Sequence, residues 1–339
     1  MLGAVTVIDA SAVVHHGDTS IQTAGANYKG MPVGGIVELM RRVSFALGQG
    51  EFVVVCFDSK TSKKDIFPGY KSGRIRNNSV INQLELAKIL LENANVCCMK
   101  VDGFEADDII DWAVRENLNA PGISILGNDE DLAHSVAPNT TLTLFGTSSK
   151  IVSKNSFERT MKMPYNTVSL YKVFRGCVSD KIPVFKGAKK INSQVMYDRC
   201  IQFINENNYY DNYYATTSIN LIVNFVQQSE DLFAPEDYEE LEKRIKLIYP
   251  ADKPDEVTIR PTALADVNVE VFSEIASALY EMPIIKCIRG KLKKGKTYTT
   301  DLLDKRAKNY TSGAFMVDNN LSFSSSSLAS SEVLSIKSF

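Results

Sequence analysis

The stretch GFEADDIID at residues 103–111 decides how the rest of this sequence is interpreted. It places Glu105, Asp107 and Asp108 directly before an apolar repeat with helical spacing. On a helix Glu105 and Asp108 share a face and repel each other, which a hard divalent cation between oxygen ligands would explain. An acidic first turn that complements the helix dipole is the alternative. Asp111, one turn further on, is predicted to be a solvated helix residue.

Length and composition indicate a globular protein with room for one large domain or two ordinary ones. The chain has 339 residues, of which 44% are hydrophobic and 23% are charged. No apolar run reaches the length that spans a bilayer, and the N-terminus lacks the basic start of a signal peptide. Six cysteines without metal-binding spacing and three scattered histidines predict a reduced, intracellular protein without a zinc site.

Basic residues are concentrated in three places, although the formal net charge is only −2. Residues 60–76 carry six lysines and arginines against one acid, and residues 286–296 carry six with no acid. A shorter cluster contains Lys186, Lys189 and Lys190. Solvated surface charge explains each segment by itself, whereas their alternation with acidic motifs favours a metal-dependent enzyme that acts on a polyanion.

Strand and helix patterns alternate through the first 145 residues. Strands are predicted at 4–8, 52–57, 96–99, 123–126 and 140–145 (the last at a sheet edge), and helices at 33–47 and 80–91. This alternation predicts an α/β fold with a central, mainly parallel sheet flanked by helices and an active site at the carboxyl ends of the strands. Four acidic positions follow strands directly, which favours a metal-binding carboxylate cluster over four separate helix caps. They are Asp9, Asp58, the Glu105 group and the Asp129 group.

Helical patterns dominate after residue 165. They predict helices at 168–174, 191–204, 219–226, 238–248 and 269–280. From about residue 311 the sequence becomes rich in serine and predicts a flexible tail.

These motifs, in this order, resemble the 5′ nuclease family, which includes the 5′ nuclease domain of bacterial DNA polymerase I, bacteriophage 5′ exonucleases and RNase H-type nucleases, and the flap endonucleases. The resemblance extends from about residue 4 to residue 183. It rests on IDAS at residues 8–11, FD at 57–58, YKSGR at 70–74, GFEADDII at 103–110, GNDEDL at 127–132 and GCVSDKIP at 176–183.

The resemblance implies two groups of metal ligands. The first group is Asp9, Asp58, Glu105, Asp107 and Asp108, and the second is Asp129, Asp131 and Asp180. Such residues hold two or more Mg²⁺ ions, which Mn²⁺ can replace, and the ions promote hydrolysis of a phosphodiester. Some of these carboxylates are expected to act through water, because Mg²⁺ keeps several water ligands.

The resemblance also implies DNA contacts. Lys71 and Arg74 match catalytic basic residues that meet the scissile phosphate, and Tyr70 matches an aromatic residue that stacks on a base. An ordinary turn with a packed aromatic is the alternative for this segment. A shortened helix-hairpin-helix supplies Gly187 and its lysine neighbours as further phosphate contacts, without support for a K⁺ site. These neighbours are Lys186, Lys189 and Lys190.

Two departures from the family pattern concern the candidate site. Cys177 stands where the family usually has the first of two aspartates, and a thiol is a poor ligand for Mg²⁺. We therefore expect a weaker or shifted second metal site, or compensation by Glu130. His15 and His16 occupy a region in which an arginine is common.

The sequence therefore predicts a Mg²⁺-dependent 5′-3′ exonuclease and flap endonuclease that acts on DNA, and on RNA–DNA hybrids, in replication or repair. Residues 1–165 would form the α/β nuclease domain with an arch-like segment at about 59–95, residues 166–310 a helical DNA-binding region with a degenerate helix-hairpin-helix near 176–200, and residues 311–339 the tail. We expect a cytoplasmic monomer of a bacterium or bacteriophage that contacts no membrane. Nothing in the sequence supports a sliding-clamp or single-strand-binding partner. A DNA-structure-binding protein with weakened catalysis and a PIN-type ribonuclease are the alternatives.

Overall fold

The computed structural model describes residues 3–20, 22–61, 63–73, 77–145, 149–209, 219–280 and 298–311. Its strands are β1 (Val5–Asp9), β2 (Asn27–Tyr28), β3 (Met31–Pro32), β4 (Phe52–Cys56), β5 (Cys98–Met99), β6 (Ile123–Gly127), β7 (Thr140–Leu144) and β8 (Lys150–Ser153). Its helices are α1 (Ala10–Thr19), α2 (Gly34–Gly48), α3 (Lys63–Ile66), α4 (Asn78–Asn93), α5 (Ala106–Glu116), α6 (Phe157–Met161), α7 (Val168–Arg175), α8 (Ser193–Glu206), α9 (Ile219–Gln227), α10 (Asp237–Ile248), α11 (Val269–Tyr280) and α12 (Tyr298–Thr311). A 3-10 turn, Glu130–Ser135, follows β6.

The central sheet has six strands in the order β5-β4-β1-β6-β7-β8. All neighbouring strands are parallel except β7 and β8. Asp9 pairs with Cys56 and Ile8 pairs with Leu126, so β1, β4 and β6 end at the same edge. The predicted α/β fold is confirmed, and the residues that follow these strands are brought to one place.

The prediction that residues 140–145 form an edge strand is wrong, because β8 pairs with β7 on its outer side. Only Val152 of β8 is buried, whereas Lys150 and Ile151 are exposed. A strand with one buried side chain lacks the alternation by which strands are recognised in a sequence.

Apolar layers cover both faces of the sheet. Ile8, Val53 and Val55 pack with α1, α2 and α4 on one face, and Val7 and Val54 pack with α5 on the other. This double coverage explains the continuous apolar runs in β1 and β4. None of the helices in the described ranges combines the length and the apolar character that crossing a membrane requires.

The helical second half contains two parts with different packing. Helices α7, α8, α9 and α10 share a core of their own around Phe174 and Phe225. Helices α11 and α12, in contrast, contribute Phe272, Ile275 and Leu303 to the core of the α/β layer. The basic run at 286–296 and the serine-rich tail beyond Thr311 lie outside the described residues, so the expectations about them stay predictions.

Candidate functional site

The carboxyl ends of β1, β4 and β6 open into a cleft of about 620 Å³. Five of the eight predicted metal ligands line this cleft together, with Lys71 beside them. They are Asp9, Asp58, Asp107, Asp129 and Asp131. The parallel register at the centre of the sheet produces this convergence, because each side chain follows a strand or begins the helix or turn after it.

Asp9 and Asp58 both line the cleft and affect each other. Asp9 caps α1 by accepting a hydrogen bond from the Ala12 amide at 3.0 Å. Asp58 accepts one from the Ser11 hydroxyl at 2.6 Å and one from the Ala106 amide at 2.9 Å. Burial, followed by the negative charge of Asp58, raises the pKa of Asp9 to about 8. Two carboxylates that repel in this way leave room for a positive charge between them.

Asp108 is held by backbone groups on two sides. It is 1% exposed, and it accepts hydrogen bonds from the amides of Glu105 and Ala251, both at 2.9 Å. The first bond closes a capping box at the start of α5, and the second ties the segment after α10 to this helix. Both of its oxygens therefore have structural partners, whereas the half-buried Asp107 lines the cleft.

Glu105 is surrounded by donors from residues 63–73. Its carboxylate accepts hydrogen bonds from Lys63 Nζ at 3.0 Å, Tyr70 Oη at 2.8 Å and Lys71 Nζ at 2.7 Å. Burial alone would lower the pKa of Lys63, but Asp107, Asp108 and Glu105 raise it above its ordinary value. The ammonium groups of Lys63 and Lys71 thus provide compensating positive charge for this buried carboxylate.

Tyr70 occupies a position that differs from the predicted one. Its side chain is 2% exposed and packs with Cys177, Ile182 and Leu247. The stacking on a base that the sequence predicted does not fit this buried ring. Lys71 borders the cleft as expected, and Arg74 lies outside the described residues.

The prediction for Asp111 is wrong, because this residue is 2% exposed rather than solvated. It forms an ion pair with Arg115 and accepts a hydrogen bond from the Ser135 hydroxyl at 3.0 Å. Helix α5 is covered on almost all sides, so a polar residue one turn after the acidic start is enclosed as well.

A second, smaller cavity of about 20 Å³ adjoins the cleft. Asp107 and Asp131 line both spaces, and Asp180 and His134 line the smaller one. A space of this size holds a single water molecule or ion. Lys172, from α7, forms an ion pair with Asp131 at its wall.

His134 is 5% exposed, and its Nε2 atom has no hydrogen-bond partner among the described residues. Burial lowers the pKa of His134 below its ordinary value, although Asp111 and Asp107 oppose this effect. Its Nε2 atom is thus left to accept or donate a hydrogen bond or to bind a cation.

A tight loop brings Cys177 and Asp180 together. Backbone hydrogen bonds of 2.9 and 2.8 Å join Cys177 and Ile182 in both directions. Gly176 enters this loop at φ +74°, where a Cβ atom would lie 2.5 Å from the Ile182 carbonyl oxygen. Within the described ranges, Asp131, Cys177 and Asp180 form a group whose ligand atoms all lie within 4.8 Å of one another.

The predicted duplex contacts lie on the loop before α8. Lys186, Lys189 and Lys190 are exposed there. Asp237 fixes the loop by accepting a hydrogen bond from the Ala188 amide at 2.7 Å. Three exposed lysines on a fixed loop are suited to contacts with a phosphate backbone.

Three side chains of the site were not singled out from the sequence. Lys63 was counted only as part of a basic segment, and Lys172 and His134 were not connected with the carboxylates. Their roles depend on distances across the fold, for which spacing along the chain gives no signal. Only the position of His134, three residues after Asp131, could have drawn attention to it.

A parallel sheet with a carboxylate cleft at its carboxyl edge, and a lysine-bearing segment beside that cleft, form the α/β arrangement that the resemblance predicts. Residues 4–162 match the family of 5′-3′ exonuclease N-terminal, resolvase-like domains. The resemblance to the 5′ nuclease family that the sequence indicated is therefore confirmed.

Relatives and solved structures agree with this assignment. A DNA polymerase I of Rhizobium leguminosarum is 33% identical over 89 residues, which are 26% of this chain and 9% of that protein. A 5′-3′ exonuclease of Aquifex aeolicus (strain VF5) is 24% identical over 189 residues, 53% of this chain and 64% of that protein. The chain thus spans less than two thirds of the length of these curated relatives. A structure of the flap endonuclease of bacteriophage T5, in complex with DNA and metal ions, is similar to this one with a TM-score of 0.52. The alignment covers 91% of this chain and 98% of that chain at 13% sequence identity, so the two chains share a fold.

The residues of the cleft fit a hard divalent cation. Asp9, Asp58, Asp107 and Asp129 offer only oxygen ligands, as Mg²⁺ and Mn²⁺ prefer. Asp9 and Asp58 lie close enough for the charge of Asp58 to raise the pKa of Asp9, in addition to the effect of burial, and a cation between them would relieve this repulsion. Beside the smaller cavity the donor set differs, because the ligand atoms of Asp131 and Asp180, which line that cavity, lie within 4.8 Å of the Cys177 sulfur.

Proposed function

We propose that this protein is a divalent-cation-dependent 5′ nuclease that hydrolyses phosphodiester bonds at 5′ ends or flaps of DNA, with RNA–DNA hybrids as further substrates. The observation that carries the proposal is the convergence of five carboxylates on one cleft, with Lys71 beside them. Its setting would be replication or repair in the cytoplasm, with the chain acting as a monomer.

Each part of the site has a role in this proposal. Asp9, Asp58 and Asp107 would hold the first cation, and Asp129, Asp131 and Asp180 would hold the second. Glu105 and Asp108 position this set through their hydrogen bonds, with further contact to the cations through water. Bound cations supply activation of the attacking water and stabilise the charge on the leaving oxygen.

The basic side chains would bind the substrate. Lys71 meets the scissile phosphate, as would Arg74. Lys186, Lys189 and Lys190 contact the backbone of the adjoining duplex. Contacts of this kind require a DNA shape rather than a DNA sequence, as is expected of a protein that cuts at a flap.

The decisive experiment measures cleavage of a 5′-flap DNA with Mg²⁺ or Mn²⁺ for the wild type, Asp107→Asn and the control Asp198→Asn on the exposed face of α8. We expect Asp107→Asn to lower turnover at least about a hundredfold, because bound cations contribute several kcal/mol to such reactions. Asp198→Asn should leave turnover unchanged. Equal turnover of all three proteins would refute the proposed site.

Two other outcomes would identify a different function. Tight flap binding in EDTA with negligible turnover in either cation would indicate a DNA-structure-binding protein. Faster cleavage of a single-stranded RNA than of a DNA flap of the same length would indicate a PIN-type ribonuclease.

The lysines before α8 are tested by salt dependence. A Lys186→Ser, Lys189→Ser, Lys190→Ser variant should lower the slope of log affinity against log salt by up to about 2.7, since each phosphate contact contributes about 0.9. Lys243→Ser with Lys246→Ser, on exposed i,i+4 ion pairs of α10, is the matched control. An unchanged slope in the triple variant would place the duplex elsewhere.

A further inference from the structure

Asp131, Cys177 and Asp180 come from three separate places in the chain and present their ligand atoms to one point. Asp131 lies in the 3-10 turn after β6, and the other two lie at the base and the tip of the loop after α7. Their ligand atoms lie within 4.8 Å of one another. This spacing allows one cation to contact all three.

Two independent observations indicate that this point takes a ligand. Asp131 and Asp180 line a cavity of about 20 Å³, which has room for one ion and little else. His134 lines the same cavity, is 5% exposed, and has an Nε2 atom without a partner among the described residues. A buried imidazole with an unused nitrogen is an unfavourable feature unless something binds there.

We infer that this second cation position carries a cysteine thiolate and selects a softer divalent cation, of the Zn²⁺, Co²⁺ or Fe²⁺ class, over Mg²⁺. The inference rests on the proposed function only in taking this place to be the second cation position. Thiolate sulfur favours these cations, whereas Mg²⁺ requires oxygen ligands in octahedral geometry. The neighbouring cleft, which offers only oxygen, keeps its preference for a hard cation.

A cysteine ligand would give this site a signature that carboxylate ligands lack. The thiol must release its proton when the cation binds, so binding to the wild type should release about one more proton than binding to a variant without Cys177.

Apolar packing is the alternative explanation for the buried position of Cys177. The residue is 6% exposed, it contacts Tyr70, Ile182 and Leu247, and its sulfur lies 3.0 Å from the Ser179 hydroxyl. If packing were its only role, the sulfur would never contact a cation. The two roles can be separated by spectroscopy.

The test titrates Co²⁺ into the full, cation-free chain and records the sulfur-to-cobalt charge-transfer absorption in the near ultraviolet. The wild type should develop this band at one equivalent, and Cys177→Ser and Cys177→Asp should not. Cys97→Ser, which removes a half-buried thiol in the strand region away from the cavity, is the matched control and should keep the band. Circular dichroism verifies that each variant is folded.

Calorimetry gives a second readout. Cys177→Ser should weaken Zn²⁺ binding about 10–100-fold, and Cys177→Asp should reverse the preference towards Mg²⁺. The extra proton released by the wild type is measured from binding heats in two buffers with different ionisation enthalpies. His134→Gln should weaken Zn²⁺ binding without removing the charge-transfer band.

The outcomes separate this inference from the proposed function. A charge-transfer band that depends on Cys177 supports the inference even if no flap is cut. The inference is overturned if Co²⁺ binds the wild type without the band, or if Cys177→Ser keeps the band. Flap cleavage with either of these results would leave the nuclease function standing and reduce Cys177 to a packing residue.

Discussion

The buried ammonium group of Lys63 offers a sharp test of how this site is held together without a cation. Lys63 is 8% exposed and lies 3.0 Å from Glu105 and 3.8 Å from Asp108. Its neighbour on the same short helix, Lys64, is exposed and contacts neither carboxylate. Lys63→Met and Lys64→Met therefore remove the same charge from adjacent positions with different surroundings.

The magnitude follows from the distances. At an effective dielectric constant of about 20, the contact at 3.0 Å contributes about 5 kcal/mol of attraction and the one at 3.8 Å about 4 kcal/mol. Desolvation of the three groups offsets much of this sum. Removal of one partner of a buried ion pair typically costs about 3–5 kcal/mol, because the remaining charges stay buried. We expect that loss for Lys63→Met and less than about 0.5 kcal/mol for Lys64→Met.

Urea unfolding in EDTA and in Mn²⁺ measures both variants. In EDTA, the free energy of unfolding of Lys63→Met should be lower than that of the wild type by the full loss of about 3–5 kcal/mol. In Mn²⁺ part of this loss should be recovered, because the cation compensates the carboxylates that the lysine no longer pairs. Equal midpoints for the two variants in EDTA would refute the reasoning, since the ammonium group would then stabilise nothing.

Three further predictions concern other parts of the fold. Asp108→Asn should lower the free energy of unfolding by about 1–3 kcal/mol, since one of its two backbone donors loses its acceptor; an unchanged urea midpoint would contradict this. Gly176→Ala should destabilise by at least about 1–3 kcal/mol because of its positive φ, and it should also weaken Co²⁺ binding; a variant with the stability and cobalt affinity of the wild type would refute the loop geometry. Hydrogen bonds from Lys29 and Tyr28 hold the pKa of Asp304 below its ordinary value. These hydrogen bonds therefore stabilise the fold fully above the ordinary carboxyl pKa. This stabilisation is lost as the pH falls through the lowered pKa of Asp304. Hydrogen exchange in α12 should become faster on acidification in the wild type, and Asp304→Asn should remove this pH dependence. Identical pH profiles of exchange in the two proteins would contradict this prediction.

The cleft could be predicted from the sequence because its positions are coupled to the strands. Asp9, Asp58 and Asp129 each follow an apolar run, and parallel strands bring their carboxyl ends to one edge. This geometry depends on strand order and register, which short connections and apolar patterns largely determine. The family resemblance then indicated that these aspartates are metal ligands rather than only helix caps.

The partners of these carboxylates could not be predicted in the same way. Lys63 contacts Glu105 across 42 positions in the sequence, and Lys172 reaches Asp131 across 41. Tyr70 was placed against DNA but is enclosed by a small apolar cluster that includes Leu247 from α10. The contacts of Lys172 and Tyr70 depend on how the helical region packs beside the sheet, and the contact of Lys63 depends on how α3 lies against the start of α5. No local pattern records that packing.

The same lysines explain how so many carboxylates coexist in a cation-free fold. Lys63 and Lys71 pair with Glu105, and Lys172 pairs with Asp131. Compensation is least at Asp9, where burial and the charge of Asp58 raise the pKa. A divalent cation gains most where no lysine of the described residues pairs with the carboxylates. The space between Asp9 and Asp58 is therefore the position that a hard cation should fill first, and the group of Asp131, Cys177 and Asp180 beside Lys172 the one that should fill second.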